Sequence, residues 1–383
     1  MAPPDRSNIP EPRRLLVRGV NWLGDAVMTT PALLRLRERF PQAHIALLTP
    51  AKLADLWHHH PALSELLPFY PGEGSWTISR RLKASNFDVG LIFPNSPRSA
   101  LELWLARIPE RIGYSRPWRD WFLTRRVANR PGHQRMPKRS VREIRRLAAG
   151  PSSSETGQQQ MSFAAHQMQD YLHLAATLGA SPAPLAPALT VTPGETAAVA
   201  QRFELSLEVP ILGLNPGAEY GPAKRWPPDR FVEAAIAIQR KIHCQWLIFG
   251  AAGDTHLAAQ VAEGIRRALA PDPDELRPFN LAGQTSLRDL LALLKLCRVV
   301  LTNDTGPMHA AAAVGTRVVV PFGSTSPELT APGLPGGSRH QLLRAAVACS
   351  PCFRRTCPID FRCMRAITVD QVIAAVLHAA TPV

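Results

Sequence analysis

Short apolar runs alternate with amphipathic stretches along most of the chain. In the first half, the runs at 15–17, 44–50 and 87–97 have the length of buried strands, and the last of them ends in a turn. The stretches at 98–108 and 166–180 have the periodicity of helices. Such an alternation is typical of an α/β protein with a parallel, doubly wound sheet.

The alternation restarts after a proline-rich segment at 181–195. A proline-rich segment forms a stiff, extended connection, so we expect a domain boundary there. In the second half, Ser286 and Asp289 have the spacing of a capping box, and Thr368 is the expected N-cap of the last helix. Because 383 residues exceed one ordinary core, the sequence predicts two Rossmann-like domains, 1–190 and 191–383.

Composition narrows the class of protein. Hydrophobic residues make up 45% of the chain and charged residues 19%, which is typical of a globular protein. No apolar run approaches the ~20 residues of a membrane-spanning helix. The first fourteen residues lack the apolar core of a secretory signal. A cytoplasmic protein is therefore expected.

Positive charge is concentrated in one part of the chain. The formal net charge is +14, and residues 111–146 contain twelve Arg or Lys and two acids. Such a region favours an anionic partner (nucleic acid, anionic lipid or phosphorylated glycan), or it is a solvated basic surface. The polar stretch 129–162 is predicted to be a flexible basic loop of the first domain.

The turn after the apolar run 299–301 combines several polar groups with a helix start. Asp304, Thr305, Gly306 and His309 lie where the strand ends and an Ala-rich helix begins. The free N–H groups of a helix start bind anions, and Gly306 permits close approach of a ligand to the backbone. Asp304 and His309 are then candidate ligand contacts. Alternatively, Asp304 is only a helix cap and His309 a structural donor.

A second turn follows the apolar run 210–215. It contains Gly217 and Ala218, and Lys224 follows near the next helix. A glycine turn with a lysine suits a diphosphate, although the spacing is not that of a Walker loop. The competing interpretation is that Lys224 and Arg225 are ordinary surface charges. The segment 250–254 does not match the G-x-G-x-x-G pattern, so nicotinamide binding has little support.

A third turn carries Asp25, directly after the first predicted strand. Its carboxylate is either a cap of the following helix or a general base in a cleft. The positive end of a helix favours the ionised carboxylate, so both roles are compatible, although a base of this kind is weak.

These turns carry a family resemblance. The stretches NWLGDAVMTTPALL, FPNSPRSAL, NPGAEYGPAKRWP, LAGQTSL, TNDTGPMHAAAAVGT and FGSTSPELTAP resemble the ADP-heptose:lipopolysaccharide heptosyltransferases of glycosyltransferase family 9, particularly the type II enzymes. The resemblance implies a GT-B fold of two facing Rossmann-like domains, with the C-terminal helix crossing back to the N-terminal domain. It also implies inverting transfer of heptose from ADP-L-glycero-D-manno-heptose to the inner core of lipopolysaccharide.

The resemblance assigns roles to the three turns. Asp25 matches the proposed general base, and the first domain would bind the acceptor. Donor binding in the second domain is implied for a larger set: Gly217, Ala218, Lys224, Asp304, Thr305, Gly306 and His309. No cofactor is required, because lysine and a helix N-terminus stabilise the departing diphosphate. An Asp-x-Asp metal motif occurs only at 272–274, in a proline-rich loop.

Aromatic residues lie among the arginines at 113–130. Arg116, Arg119, Arg125 and Arg126 are predicted to face the acceptor, a lipid A–inner core glycolipid, or the anionic inner face of the membrane. We therefore expect a cytoplasmic protein that is in peripheral contact with the inner membrane. Nucleic acid is not expected as a partner, since no helix-turn-helix, zinc-finger or RRM signature is present.

Four cysteines cluster near the C-terminus, with C-x2-C-x4-C-x5-C spacing. Cys349, Cys352, Cys357 and Cys363 are candidates for a structural zinc site, for free thiols or, less readily in the cytoplasm, for disulfides.

Two other functions stay open at this point. One is a family 9 glycosyltransferase with a different donor or acceptor. The other is a basic nucleic-acid-binding protein in which the two domains are only a scaffold.

Overall fold

The computed structural model describes residues 11–150, 163–270 and 276–381. The described residues divide into two compact units. The first lies within Met1–His133 and Ala164–Thr190, and the second within Gln134–Phe163 and Val191–Val383.

The strands are, in chain order, β1 (Arg14–Arg18), β2 (His44–Pro50), β3 (Glu65–Phe69), β4 (Val89–Ile92), β5 (Glu110–Tyr114), β6 (Arg125–Val127), β7 (Ile211–Asn215), β8 (Gln245–Ile248), β9 (Phe279–Asn280), β10 (Val299–Thr302), β11 (Arg317–Phe322) and β12 (Gln341–Arg344).

The helices are α1 (Leu23–Arg39), α2 (Ser75–Ala84), α3 (Pro97–Leu105), α4 (Val141–Ala149), α5 (Met168–Ala176), α6 (Pro193–Arg202), α7 (Pro228–Ile242), α8 (Thr255–Leu269), α9 (Leu287–Leu296), α10 (Gly306–Ala313), α11 (Pro327–Thr330), α12 (Arg362–Arg365) and α13 (Val369–Ala380).

Each unit contains one parallel six-stranded sheet. The order in the first is β3-β2-β1-β4-β5-β6, and in the second β9-β8-β7-β10-β11-β12. The two orders are equivalent. In each sheet the order in which successive strands are added reverses at one point, which lies between β1 and β4 in the first unit and between β7 and β10 in the second. The central strands β1, β4, β7 and β10 are almost entirely buried, as expected when helices cover both faces of a sheet. Ligands of such sheets bind beyond the carboxyl ends of the strands at this reversal.

Local signals in the sequence place several helix starts. Ser286 and Asp289 form the expected capping box of α9, and Thr368 caps α13 in a box with Gln371. The last helix corrects one expectation. Its buried face, which includes Val372 and Val376, belongs to the core of the second unit and packs against α7 and β11. This helix therefore completes its own unit instead of crossing back to the first.

The predicted loop at 129–162 is also corrected in part, because residues 141–149 form helix α4. Ser140 caps it by accepting a hydrogen bond from the Glu143 N–H, and Ile144 is buried against Cys349 and Cys352. This helix belongs to the second unit. The helix contains many arginines and only one narrow apolar face, so the composition of this stretch alone predicted a loop. Residues 151–162 lie outside the described part of the chain.

A buried ion-pair network supports the reversal point of the first sheet. The Glu102 carboxylate on α3 has no exposure and accepts hydrogen bonds from Arg18 Nε (2.9 Å) and Arg98 Nε (3.0 Å). Arg18, at the end of β1, is buried as well and donates to the Gly19 carbonyl at 2.6 Å. Removing the carboxylate would leave the Arg18 guanidinium buried without an anionic partner.

We expect Glu102→Ala to lower the free energy of unfolding by about 3–5 kcal/mol, because one member of a buried pair is lost. The matched control is Glu263→Ala, which removes an exposed carboxylate paired with Arg266 and Arg267 on α8 and should cost less than about 1 kcal/mol. Urea unfolding followed by circular dichroism measures both. Equal, small losses in the two variants would contradict a structural role for Glu102.

Candidate functional site

A buried ion pair joins two loops at the reversal point of the second sheet. Lys224, in the loop after β7, places its Nζ 2.6 Å from Oδ2 of Asp304, which follows β10. The Thr325 hydroxyl donates to the same oxygen at 2.5 Å. Asp304 is only 3% exposed, so its charge is neutralised by these neighbours instead of by water. The two predicted donor-site residues therefore come together, and the interpretation of Lys224 as an ordinary surface charge is wrong.

Asn303 fixes the distance between the same two loops. Its Oδ1 accepts from the Trp226 backbone N–H at 2.9 Å, and its Nδ2 donates to the carbonyls of Pro216 (2.8 Å) and Gly217 (3.3 Å). The residue is completely buried. The sequence analysis did not single it out, although an asparagine beside Asp304 in a polar turn was the available signal.

Helix α10 begins directly after the loop that carries Asn303 and Asp304. Thr305 is its N-cap residue and makes no side-chain capping hydrogen bond. Asp304 is therefore not the cap, because its carboxylate bonds to Lys224 and Thr325. Gly306 starts the helix, and His309 lies buried in its first turn. The loop thus presents a threonine hydroxyl and a helix N-terminus, the groups that suit a phosphate.

The loop after β7 also contacts Asp254, which follows β8. Arg225 donates from Nη2 to Asp254 Oδ1 at 3.2 Å and to the Ala218 carbonyl at 3.4 Å. A Cβ atom at Gly217 would lie 2.4 Å from the Asp254 carboxylate, so a larger residue cannot occupy this position without displacing it. Ala218 is buried. The sequence analysis did not single out Asp254 as a site residue; it lies at the end of the Gly-Ala-Ala-Gly-Asp stretch.

Asp25 in the first unit lies within helix α1, whose N-cap residue is Trp22. Its position in the first turn means that it is not the capping residue. The Gln167 amide Nε2 donates to Asp25 Oδ1 at 3.1 Å and lies 3.1 Å from the Tyr171 hydroxyl. Burial and the nearby Asp25 charge raise the pKa of Tyr171, so this tyrosine stays neutral. Gln167 therefore orients the half-buried Asp25 carboxylate, a contact that sequence reasoning missed.

The four arginines of the basic stretch have different environments. Arg116 donates to Asn129 Oδ1 at 2.8 Å, Arg125 pairs with Glu110 at 2.5 Å, and Arg126 is exposed. These three are at least partly accessible to solvent.

Arg119 is a correction, because it is completely buried and cannot face a membrane surface. Its Nη1 donates to Asn95 Oδ1 at 3.2 Å, while Nε and Nη2 have no partner among the described residues. Burial lowers its pKa to about 10. Glycine at position 113 of β5 leaves room for the guanidinium, since a Cβ there would lie 2.6 Å from Nη2.

The cysteine cluster is mostly buried, and all four thiols are free. Burial, followed by the neighbouring cysteines, raises the pKa of Cys363 to about 12. Within the described ranges, no three His, Cys, Asp or Glu side chains come together as a metal-binding group. The zinc alternative for these four cysteines therefore has no support within the described residues. The Asp272–Asp274 motif lies outside the described residues.

None of the helices in the described part of the chain is both long enough and apolar enough to cross a membrane.

Similarity to known proteins places the chain in one family. The profile of glycosyltransferase family 9 (heptosyltransferase) matches residues 75–361. Lipopolysaccharide heptosyltransferase 2 of Salmonella typhimurium is 31% identical over 83% of this chain and 85% of the relative. Lipooligosaccharide heptosyltransferase 2 of Haemophilus influenzae is also 31% identical, over 83% of this chain and 85% of the relative.

A solved structure gives the corresponding result for the fold. The E. coli ADP-heptose lipopolysaccharide heptosyltransferase II superimposes with a TM-score of 0.73 at 27% identity, covering 96% of this chain and 98% of that one. The two equivalent parallel sheets are accordingly those of a GT-B glycosyltransferase. The chain belongs to glycosyltransferase family 9, the heptosyltransferase family.

Proposed function

We propose that this enzyme transfers L-glycero-D-manno-heptose from its ADP-activated form to the inner core of lipopolysaccharide, with inversion at the anomeric carbon. The names of the relatives at 31% identity support heptose as the transferred sugar and lipopolysaccharide or lipooligosaccharide as the acceptor, and the name of the solved E. coli relative supports an ADP-heptose donor. The observation in this chain that carries the proposal is the Lys224–Asp304 pair beside the N-terminus of α10. Another donor or acceptor within family 9 is the alternative.

The proposed donor site uses the charges of the second unit. The diphosphate lies between the Lys224 ammonium and the backbone N–H groups at the start of α10. Gly217 and Ala218, in the loop after β7, contact it from the side opposite α10. Lys224 has three donors, so it can hold a phosphate oxygen while one N–H still bonds to Asp304. Thr305 and Gly306 contact phosphate, and Asp304 and His309 contact the donor.

The proposed acceptor site belongs to the first unit, with Asp25 as general base. The acceptor hydroxyl attacks the anomeric carbon of the donor, and its proton passes to the Asp25 carboxylate. The bond from that carbon to the phosphate oxygen breaks, and its electron pair leaves with ADP. Gln167 holds the carboxylate oxygen that does not take the proton. A weak base suffices, since the hydroxyl becomes strongly acidic only as the new bond forms.

Charge develops on the departing ADP during this step. Lys224 and the α10 N-terminus are fixed before the reaction, so they stabilise that charge without reorganisation. We therefore infer that neither a divalent metal nor another cofactor is required. The exposed or half-buried arginines Arg116, Arg125 and Arg126 would contact phosphates of the lipid A–inner core acceptor or the anionic inner membrane. The enzyme would then work in the cytoplasm at that membrane.

The direct test is a transfer assay with ADP-heptose and lipopolysaccharide cores truncated at successive inner-core sugars. We expect ADP release and a mass gain of one heptose with a single truncated core, in a buffer containing a metal chelator. Transfer only from another nucleotide sugar would favour the alternative donor. Absence of transfer to every core would overturn the proposed acceptor.

We expect Asp25→Asn to lower the turnover number by a factor of about 10² to 10⁴, because the general base is lost. The amide oxygen of the new side chain still accepts from Gln167, so the melting temperature should change little. Asp229→Asn is a matched control, since Asp229 is also an acidic residue in the first turn of a helix, α7. Steady-state rates and thermal unfolding measure both effects. Near-full activity of Asp25→Asn would exclude the base.

We expect Lys224→Met to abolish stabilisation by ADP. At a hundredfold excess over its Kd, ADP should stabilise the parent protein by about 2.7 kcal/mol. The single variant also leaves the buried Asp304 carboxylate without its cation, which lowers stability by itself. Differential scanning calorimetry with and without ADP measures both quantities.

The double variant Lys224→Met/Asp304→Asn separates these effects. It should recover much of the lost stability while remaining insensitive to ADP, whereas the exposed control Lys241→Met on α7 should respond like the parent. An unchanged ADP response in the double variant would show that Lys224 does not hold the nucleotide.

A further inference from the structure

Helices α2 and α3 of the first unit border an open groove of about 580 Å3. Its lining includes Trp76 and Trp104 and the basic residues Arg80, Lys83 and Arg107.

The groove lies away from the proposed acceptor site of the same unit. Arg107 closely precedes β5, so this part of the groove is at the amino end of the sheet. Asp25 follows β1 at the carboxyl end. Because the strands are parallel, these are opposite edges of the sheet. The part of the groove near Arg107 is therefore distinct from the place where the reaction is proposed to occur.

Large aromatic side chains are exposed along this surface. Trp76 is 69% exposed and Trp104 is 46% exposed. The Trp104 ring contacts that of Phe122, with 5.7 Å between centroids, and Trp121, next to Phe122 in a 3-10 turn, is 82% exposed. Exposed tryptophans of this kind are enriched at binding interfaces and in the interfacial belts of membranes, where one end of the ring meets an apolar phase and the other meets water.

The charge of the groove has one sign. The lining residues include Arg80, Lys83, Arg107 and Arg111, and no Asp or Glu. Between described residues, no ion pair involves Arg80, Lys83 or Arg107. Arg111 has a structural task instead, since its Nε donates to the Phe122 carbonyl at 2.7 Å. The charges of Arg80, Lys83 and Arg107 are thus not neutralised by an acidic side chain within the described residues.

We propose that this groove and its flanking tryptophans, the α2–α3 surface, bind an anionic membrane. Tryptophan rings settle at the headgroup level of a bilayer, and each nearby lysine or arginine gains from the negative surface potential. The absence of carboxylates from the lining matches that potential. The inference rests on the proposed function, because a glycolipid acceptor lies in a membrane, but it concerns a surface separate from the reacting groups.

The test is sedimentation of the full chain with vesicles of phosphatidylcholine, alone or mixed with phosphatidylglycerol. The parent should bind the anionic vesicles and lose binding as salt is raised. Arg80→Gln/Lys83→Gln/Arg107→Gln should weaken the partition coefficient about 100-fold, since three cations leave the surface. Trp76→Ala should weaken binding to a smaller extent.

Matched controls remove the same groups elsewhere. Arg240→Gln/Lys241→Gln/Arg298→Gln removes three exposed charges from the second unit, and Tyr70→Ala removes another exposed aromatic ring. Both controls should bind vesicles within about twofold of the parent, because neither removes a side chain that lines the groove.

A second readout separates this inference from the proposed function. Transfer to a delipidated core oligosaccharide should be unchanged in the groove variants, while transfer to vesicle-embedded acceptor should fall. Unchanged vesicle binding in the three-cation variant, or an equal loss in its control, would overturn the inference. So would weakened transfer to the delipidated core, which would identify a glycan site, or a dimer that Trp76→Ala dissociates.

Discussion

The nearly complete burial of the Asp304 carboxylate is the constraint on which the second unit's site depends. A buried charge must be compensated, and here the Lys224 ammonium neutralises it while the Thr325 hydroxyl donates a hydrogen bond to it, from loops that follow β7 and β11. The carboxylate therefore holds together the loops that follow β7, β10 and β11. It also keeps the Lys224 ammonium at the start of α10 before any ligand arrives, which reduces the ordering required when an anion binds.

Both units use the same strand order, yet they use the reversal point differently. In the second unit, the loops there carry a cation and a helix N-terminus, which suit a negatively charged ligand. In the first unit, the first turn of α1, the helix that follows β1, carries a carboxylate oriented by an amide, which suits a proton acceptor. The same framework thus supports opposite electrostatic environments, because the loops and not the sheets determine what the site attracts.

Local patterns in the sequence predicted much of this architecture. Apolar runs such as the one in β2 and capping residues such as Ser286 depend only on near neighbours, so the positions of most strands and helices followed from them. The turns with Asp25, Lys224 and Asp304 could be located for the same reason. What they contact could not, because Lys224 and Asp304 are 80 residues apart, and Gln167 and Asp25 are 142 apart.

Helix α4 has a consequence for how the chain is divided. The backbone N–H of Arg139 donates to the Cys352 carbonyl at 3.0 Å, and Arg362 Nη1 donates to the Ala148 carbonyl at 2.8 Å, so this insertion is fastened to the C-terminal half by both its ends. The polypeptide consequently passes between the units after His133, before Ala164 and after Thr190. Neither half is encoded by one uninterrupted stretch. A C-terminal fragment that begins at the proline-rich boundary would lack helix α4, which packs over Cys349 and Cys352. The thiols of these two cysteines, buried in the intact enzyme, would then be exposed to solvent.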